Sequence, residues 1–135
     1  MFTKLIVATV LLSAGFAAGH MSQTPPSHIY ELRIYTPGDG KLDALNARFR
    51  DHTRTIFDRH HMKSVGYWLP TEGINAGKFV YILEHASQAD ADKNWAAFNA
   101  DPEWVKVKAD SEVNGKLVTN VDRTFMAPTD YSPIK

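Results

Sequence analysis

Six histidines are the side chains of this sequence best equipped to move protons or hold a ligand, and His52 is the best placed of them. It follows Leu45 and Phe49 and precedes Ile56 at intervals of three and four, so helical spacing turns its imidazole toward whatever the helix packs on. There it could act as a general base, touch a ligand or ligate haem iron; it could equally be a core histidine donating to a carbonyl or a packed carboxylate. His85 closes an apolar run in phase with Phe79, Tyr81 and Leu83, where it either meets His52 from the opposite side or sits in solvent at a strand end. His60 and His61 are adjacent, which in a strand points them to opposite faces and makes them a poor metal pair, so no metal site is expected.

Arg33 lies two residues from both Glu31 and Tyr35 in an alternating segment, with Glu84 and Asp122 on the expected neighbouring strands. A buried or interfacial charge network is one reading, and capture of a ligand carboxylate by Arg33 is the other. Tyr35, Tyr67, Trp68, Tyr81, Trp95 and Trp104 are numerous for a small domain. Most should be core, while some could line an apolar pocket with a polar handle. The candidate pocket residues are therefore His52, Arg33, Tyr35, Tyr67, Trp68 and His85, with His52 the only candidate for a catalytic role.

Other chemistry is excluded by composition. The chain has 135 residues and no cysteine, so disulfides, thiolate nucleophiles, zinc-thiolate sites and iron-sulfur clusters are ruled out. Fifteen basic and 15 acidic residues, interspersed without a basic run, give no footprint for a phosphate backbone, so nucleic acid is not an expected partner. No G-x-S-x-G, H-E-x-x-H, P-loop or G-x-G-x-x-G string occurs, and no cofactor is implied by any motif.

The elements that must position these residues can be read along the chain. Lys4 precedes an uncharged apolar run from Leu5 to Ala18, which ends in small residues and is shorter than the about 20 needed to span a bilayer. Residues 1–19 are expected to be a secretory signal peptide, cleaved after Ala17 or Gly19, with export to the periplasm or medium and no membrane association afterwards; the alternative is an uncleaved anchor, or a start at Met21 and a cytosolic protein. A Pro25-Pro26 linker covers 20–27, a domain 28–127 and a Pro-bearing tail 128–135. Within the domain, alternation predicts a strand over His28–Thr36, with Tyr30, Leu32 and Ile34 on one face and Glu31, Arg33 and Tyr35 on the other. A helix follows over 41–59, then strands over His61–Leu69 and Lys78–His85. Ser87 with Asp90 resembles a capping box opening a second helix, and Asp101-Pro102 caps a further helical segment. A fourth strand covers Lys116–Met126.

The order β-α-β-β-α-(α)-β is that of an α+β ferredoxin-like sandwich. Its helices can cover one sheet face only, yet Phe79–Leu83 is continuously apolar, as expected of a strand buried on both faces. A homodimer whose sheets meet face to face or close into a barrel would cover the second face, unless Lys63, Ser64, Glu31 and Arg33 make it polar enough for water.

With these elements in place, five collinear strings resemble the NIPSNAP family. They are Tyr30-Glu-Leu-Arg-Ile-Tyr35, Gly40-Lys-Leu-Asp43, Arg59-His60 with Met62-Lys63 leading into Val65-Gly66-Tyr67-Trp68, Ala100-Asp-Pro-Glu-Trp104, and Ala127-Pro-Thr-Asp-Tyr-Ser-Pro133. His61 stands where the family usually has glycine. The resemblance implies a dimeric α+β barrel, a pocket between sheet and helices, and no transferable catalytic residue. The expected function is an exported homodimer holding a small, largely apolar ligand. A cofactor-independent monooxygenase, an isomerase or a haem-related enzyme is the first alternative, and an interaction module without ligand the second.

Overall fold

The computed structural model describes residues 28–135, so the expected leader and linker lie outside the described residues. The first alternating segment forms β1 (Ile29–Pro37), and β2 (Lys63–Trp68), β3 (Phe79–His85) and β4 (Val118–Met126) join it in one antiparallel sheet of order β2-β3-β1-β4. Placing β1 and β3 at the centre and β4 beside β1 is the ferredoxin-like arrangement. The helices α1 (Leu42–Arg48), α2 (Arg54–Arg59), α3 (Gln88–Ala100) and α4 (Pro102–Ser111) pack on one face of it.

The face they cover is not the one that alternation suggests. Directly opposed residues of antiparallel strands share a face, and Glu31, Arg33 and Tyr35 oppose Leu83, Tyr81 and Phe79, the buried centre of the core. Tyr30, Leu32 and Ile34 therefore point the other way, together with Val80 and Ile82. Of the polar residues expected to wet that open face, only Lys63 reaches it, since Ser64 opposes Leu83. Glu84 and Asp122 also lie on the open face, away from Arg33, and Glu84 pairs with Lys63 at 2.8 Å. Trp68 is on the same side and 48% exposed, its ring lying so flat on Gly66 that a Cβ there would meet it at 2.7 Å. The tail crosses one end of the open face, and Tyr30 Oη donates to the Lys135 carbonyl at 2.7 Å.

The helix predicted over 41–59 forms as one continuous run, but Phe49–Thr53 between α1 and α2 is wound as a π-helix. Thr53 Oγ1 donates to the Arg48 carbonyl five residues back, at 3.2 Å. The extra residue in that turn shifts the inward position from His52 to Thr53. Thr53 is buried and His52 is exposed.

The second strand starts two residues later than the pattern suggests, because His60, His61 and Met62 close α2. His61 N–H donates to the Asp58 carbonyl and Met62 N–H to that of Phe57, and His61 has φ +58°. This is a Schellman closure, whose left-handed residue is usually glycine. His60 turns instead to Asp101, its Nε2 2.7 Å from Oδ2, and Arg59 reaches the same oxygen at 2.9 Å. Asp101 Oδ1 accepts from the backbone N–H groups of Glu103 and Trp104, capping α4. The His60 hydrogen bond above all, helped by Arg59 and the two backbone donors, outweighs partial burial and holds this carboxyl far below the usual carboxylate range. Arg59-His60 and Asp101-Pro102-Glu103-Trp104 thus form a clip between the end of α2 and the start of α4.

Between sheet and helices, Phe49 packs on Phe79 with centroids 4.5 Å apart and Phe57 on Phe98 at 4.9 Å. Among the described residues, no helix is long and apolar enough to cross a membrane.

Candidate ligand pocket

Beside that aromatic core, between the β1–β4 half of the sheet and the helices, lies a cavity of about 400 Å³. Its floor comes from Arg33 and Tyr35 of β1 and from Val121 and Arg123 of β4. The helical run contributes Arg48, Phe49 and Thr53; α3 contributes Trp95, Phe98 and Asn99; α4 contributes Trp104 and Lys108. Glu112, just past α4, and Lys116, just before β4, stand at its rim. The volume is within the range of small-molecule sites, and the aromatic part of the lining is usual for them, while charged side chains are more numerous than usual.

Glu31 organises the floor. It is completely buried, and Oε2 accepts from Trp95 Nε1 at 2.8 Å and from His85 Nε2 at 2.9 Å, the imidazole donating because a carboxylate can only accept. Oε1 accepts from Arg33 NH1 at 2.7 Å, and Arg123 Nε is 4.0 Å away. Burial is the largest single influence on this carboxyl and would raise its pKa, but the hydrogen bonds from His85, Trp95 and Arg33 together outweigh it and hold it below the usual range. The Arg33 guanidinium lies 4.1 Å from the centroid of Trp95, a cation–π contact that fixes its plane. Tyr81, fully buried, donates to the Tyr35 hydroxyl at 2.7 Å, and burial pushes the Tyr81 phenol well above its ordinary value.

The opposite wall has a second charged cluster, built on Arg48. Arg48 NH1 donates to Glu112 Oε1 at 3.1 Å and to Ser111 Oγ at 3.2 Å, and the guanidinium sits 5.1 Å from the Trp104 centroid. Lys108 binds the other oxygen of Glu112 at 3.1 Å. Burial raises the Glu112 pKa, but Lys108 and Arg48 together bring it below the ordinary value.

Of the residues singled out in the sequence, Arg33 and Tyr35 line the cavity. His85 lies beneath it, bonded to Glu31 rather than facing His52. Tyr67 belongs to the aromatic core, with its hydroxyl bonded to Ser64, and Trp68 is on the far face. His52 is displaced altogether: it opens onto an outer groove between α1 and α4, lined by Ala44, Ala47 and Asp51. Sequence reasoning passed over Arg48 and Arg123. Arg123 could have been found, because it is in phase with Val121 and Phe125.

The fold and its site define a class, the ferredoxin-like α+β subunit with a cavity between sheet and helices. The NIPSNAP family profile matches residues 30–133, and the chain belongs to that family. A NIPSNAP family protein of unknown function from Agrobacterium tumefaciens superposes with a TM-score of 0.71 at 24% identity, over 82% of this chain and 96% of that one. A NIPSNAP-like domain protein from Burkholderia xenovorans superposes at 0.69 and 19% identity, over 80% and 90% of the two chains. SnoaB, a cofactor-independent oxygenase from Streptomyces nogalater, shares the fold at a TM-score of 0.50 and 14% identity, over 79% of this chain and 98% of that one. No curated protein matches the chain significantly.

Proposed function

We propose that the protein is an exported, homodimeric ligand-binding member of the NIPSNAP family, which holds a small, largely apolar molecule between its sheet and helices. The observation that carries this reading is the cavity of about 400 Å³ walled by Trp95, Trp104, Phe49 and Phe98. The dimer is supported by the apolar open face, where Leu32, Ile34, Val80 and Ile82 have no helix above them and where a second copy would remove them from water. Export is supported by the apolar run at 5–18 with small residues behind it. An oxygenase- or isomerase-like enzyme that uses His52 as base needs an imidazole at the cavity, and the described lining has none. A binder needs only the cavity.

Native mass spectrometry of the protein purified from the envelope fraction of its own host, with the leader intact in the gene, tests all three parts. The expected result is a dimer of chains beginning near His20 with a discrete additional mass. Bare monomers beginning at Met1 or Met21 would overturn export and dimerisation and leave the binding reading without support.

A further inference from the structure

We infer that the molecule bound in this cavity is an organic carboxylate on a flat apolar body, its head group taken by Arg33 with Arg123 beside it and its body resting on the aromatic wall that includes Trp95 and Trp104. This rests on the ligand-binding reading above and adds the charge of the ligand. Five cationic side chains, Arg33, Arg48, Lys108, Lys116 and Arg123, line the cavity, while Glu112 is the only acidic residue in its lining and Glu31 lies just beneath. Asp92 adds a distant contact, 3.9 Å from Arg123 and on the exposed surface. The cavity therefore has more positive than negative charge in a half-enclosed space, where a charge is poorly screened.

Two further observations point to a ligand. The Nε atoms of Arg33 and Arg48 are buried without a hydrogen-bond partner among the described residues, although buried guanidinium donors are normally satisfied. Arg48 itself is 6% exposed. Arg33 bonds Glu31 through NH1 alone, and its guanidinium is stacked 4.1 Å from the Trp95 centroid. A planar guanidinium held in this way matches a carboxylate in geometry as well as in charge. The aromatic lining of Phe49, Trp95, Phe98 and Trp104 favours a flat apolar body over a sugar or a hydrated inorganic anion.

The test uses a matched pair, naphthoate and its neutral isostere naphthamide, titrated into the protein expressed from its full-length gene. Binding is read by the NMR shifts of the Trp95 and Trp104 indole N–H groups, with Trp68 on the far face as internal control. The expected result is that naphthoate binds about 10- to 100-fold more tightly than naphthamide. That preference should fall with added salt, and it should collapse in Arg123→Gln, whose half-exposed side chain can be changed without unfolding the core, as well as in Arg33→Gln. If both compounds shift the indoles with equal affinity, or if both variants retain the preference, the carboxylate assignment is wrong while the pocket stands. If neither compound shifts Trp95 or Trp104, both fail.

Discussion

The two faces of the sheet both mix charged and apolar residues, but in different settings. The face covered by helices buries Glu31, Arg33 and His85 among its aromatics, with Arg123 beside them, whereas the open face carries Leu32, Ile34, Val80 and Ile82 beside Lys63, Glu84 and Asp122. A lone polar group under a helix layer would be costly, and here one carboxylate accepts from an arginine, an imidazole and an indole, although Arg33 Nε and His85 Nδ1 keep no partner among the described residues. The covered face thus uses polarity to build a cavity floor, and the open face leaves Leu32, Ile34, Val80 and Ile82 without a helix above them. Polarity alone therefore does not tell which face is inside.

The sharpest way to break this contrast is to remove its centre. Glu31→Ala leaves Arg33, His85 and Trp95 without their common acceptor, and the expected loss is about 3–5 kcal/mol of folding stability, as for one partner removed from a buried pair. Urea denaturation measures it, and a loss below about 1 kcal/mol would mean that the network contributes little to the fold. On the open face, Leu32→Asp puts a charge at the centre of the proposed dimer contact. Across a two-fold axis the charge is brought close to its own copy, so dimer dissociation should strengthen by at least about 100-fold while the monomer keeps its fold. Sedimentation velocity with circular dichroism would show it, and an unchanged oligomeric state would rule out this face as the interface.

Acid gives a graded version of the same comparison. Glu31 and Asp101 both have pKa values lowered by folding, so each holds its charge to lower pH in the folded chain than in the unfolded one. The stability they add is complete above the unfolded carboxylate value of about 4 and is lost as pH falls through that value toward their folded values. Thermal melts across that range should show the decline, and Asp101→Asn should flatten it. An acid limb unchanged in Asp101→Asn would mean that the clip does not contribute. The smallest effect is expected at His61, whose φ of +58° is costly for any residue with a Cβ. His61→Gly should stabilise the protein by about 1 kcal/mol, less the greater freedom glycine gives the unfolded chain. A fall in the melting temperature would show that the imidazole makes a contact worth more than the strain.

The element order was legible because periodicity and caps are local properties: Ser87 accepts from Asp90 N–H and Asp101 caps α4 where the residues suggested. That Arg33 and Tyr35 share a face was legible because they are in phase with each other on one strand, and both line the cavity. His52 was misread for an equally local reason, since a period of 3.6 assumes α-helix throughout and one π-helical turn exchanges it for Thr53. Arg48 could not be recognised from spacing, because its burial comes from Ser111, Glu112 and Trp104 more than 55 residues away.

By itself, then, the sequence determined the strands and helices, their order, the turn signals and the family. Each of these depends on residues a few positions apart, where backbone sterics and side-chain spacing act directly. Tertiary structure decided which side of β1 the helices cover, that Glu31 gathers Arg33, His85 and Trp95, and that two charged clusters close on one cavity. Those outcomes depend on strand register and helix docking, which bring together groups from residue 31 to residue 123, and alternation along one strand is the same whichever face is buried.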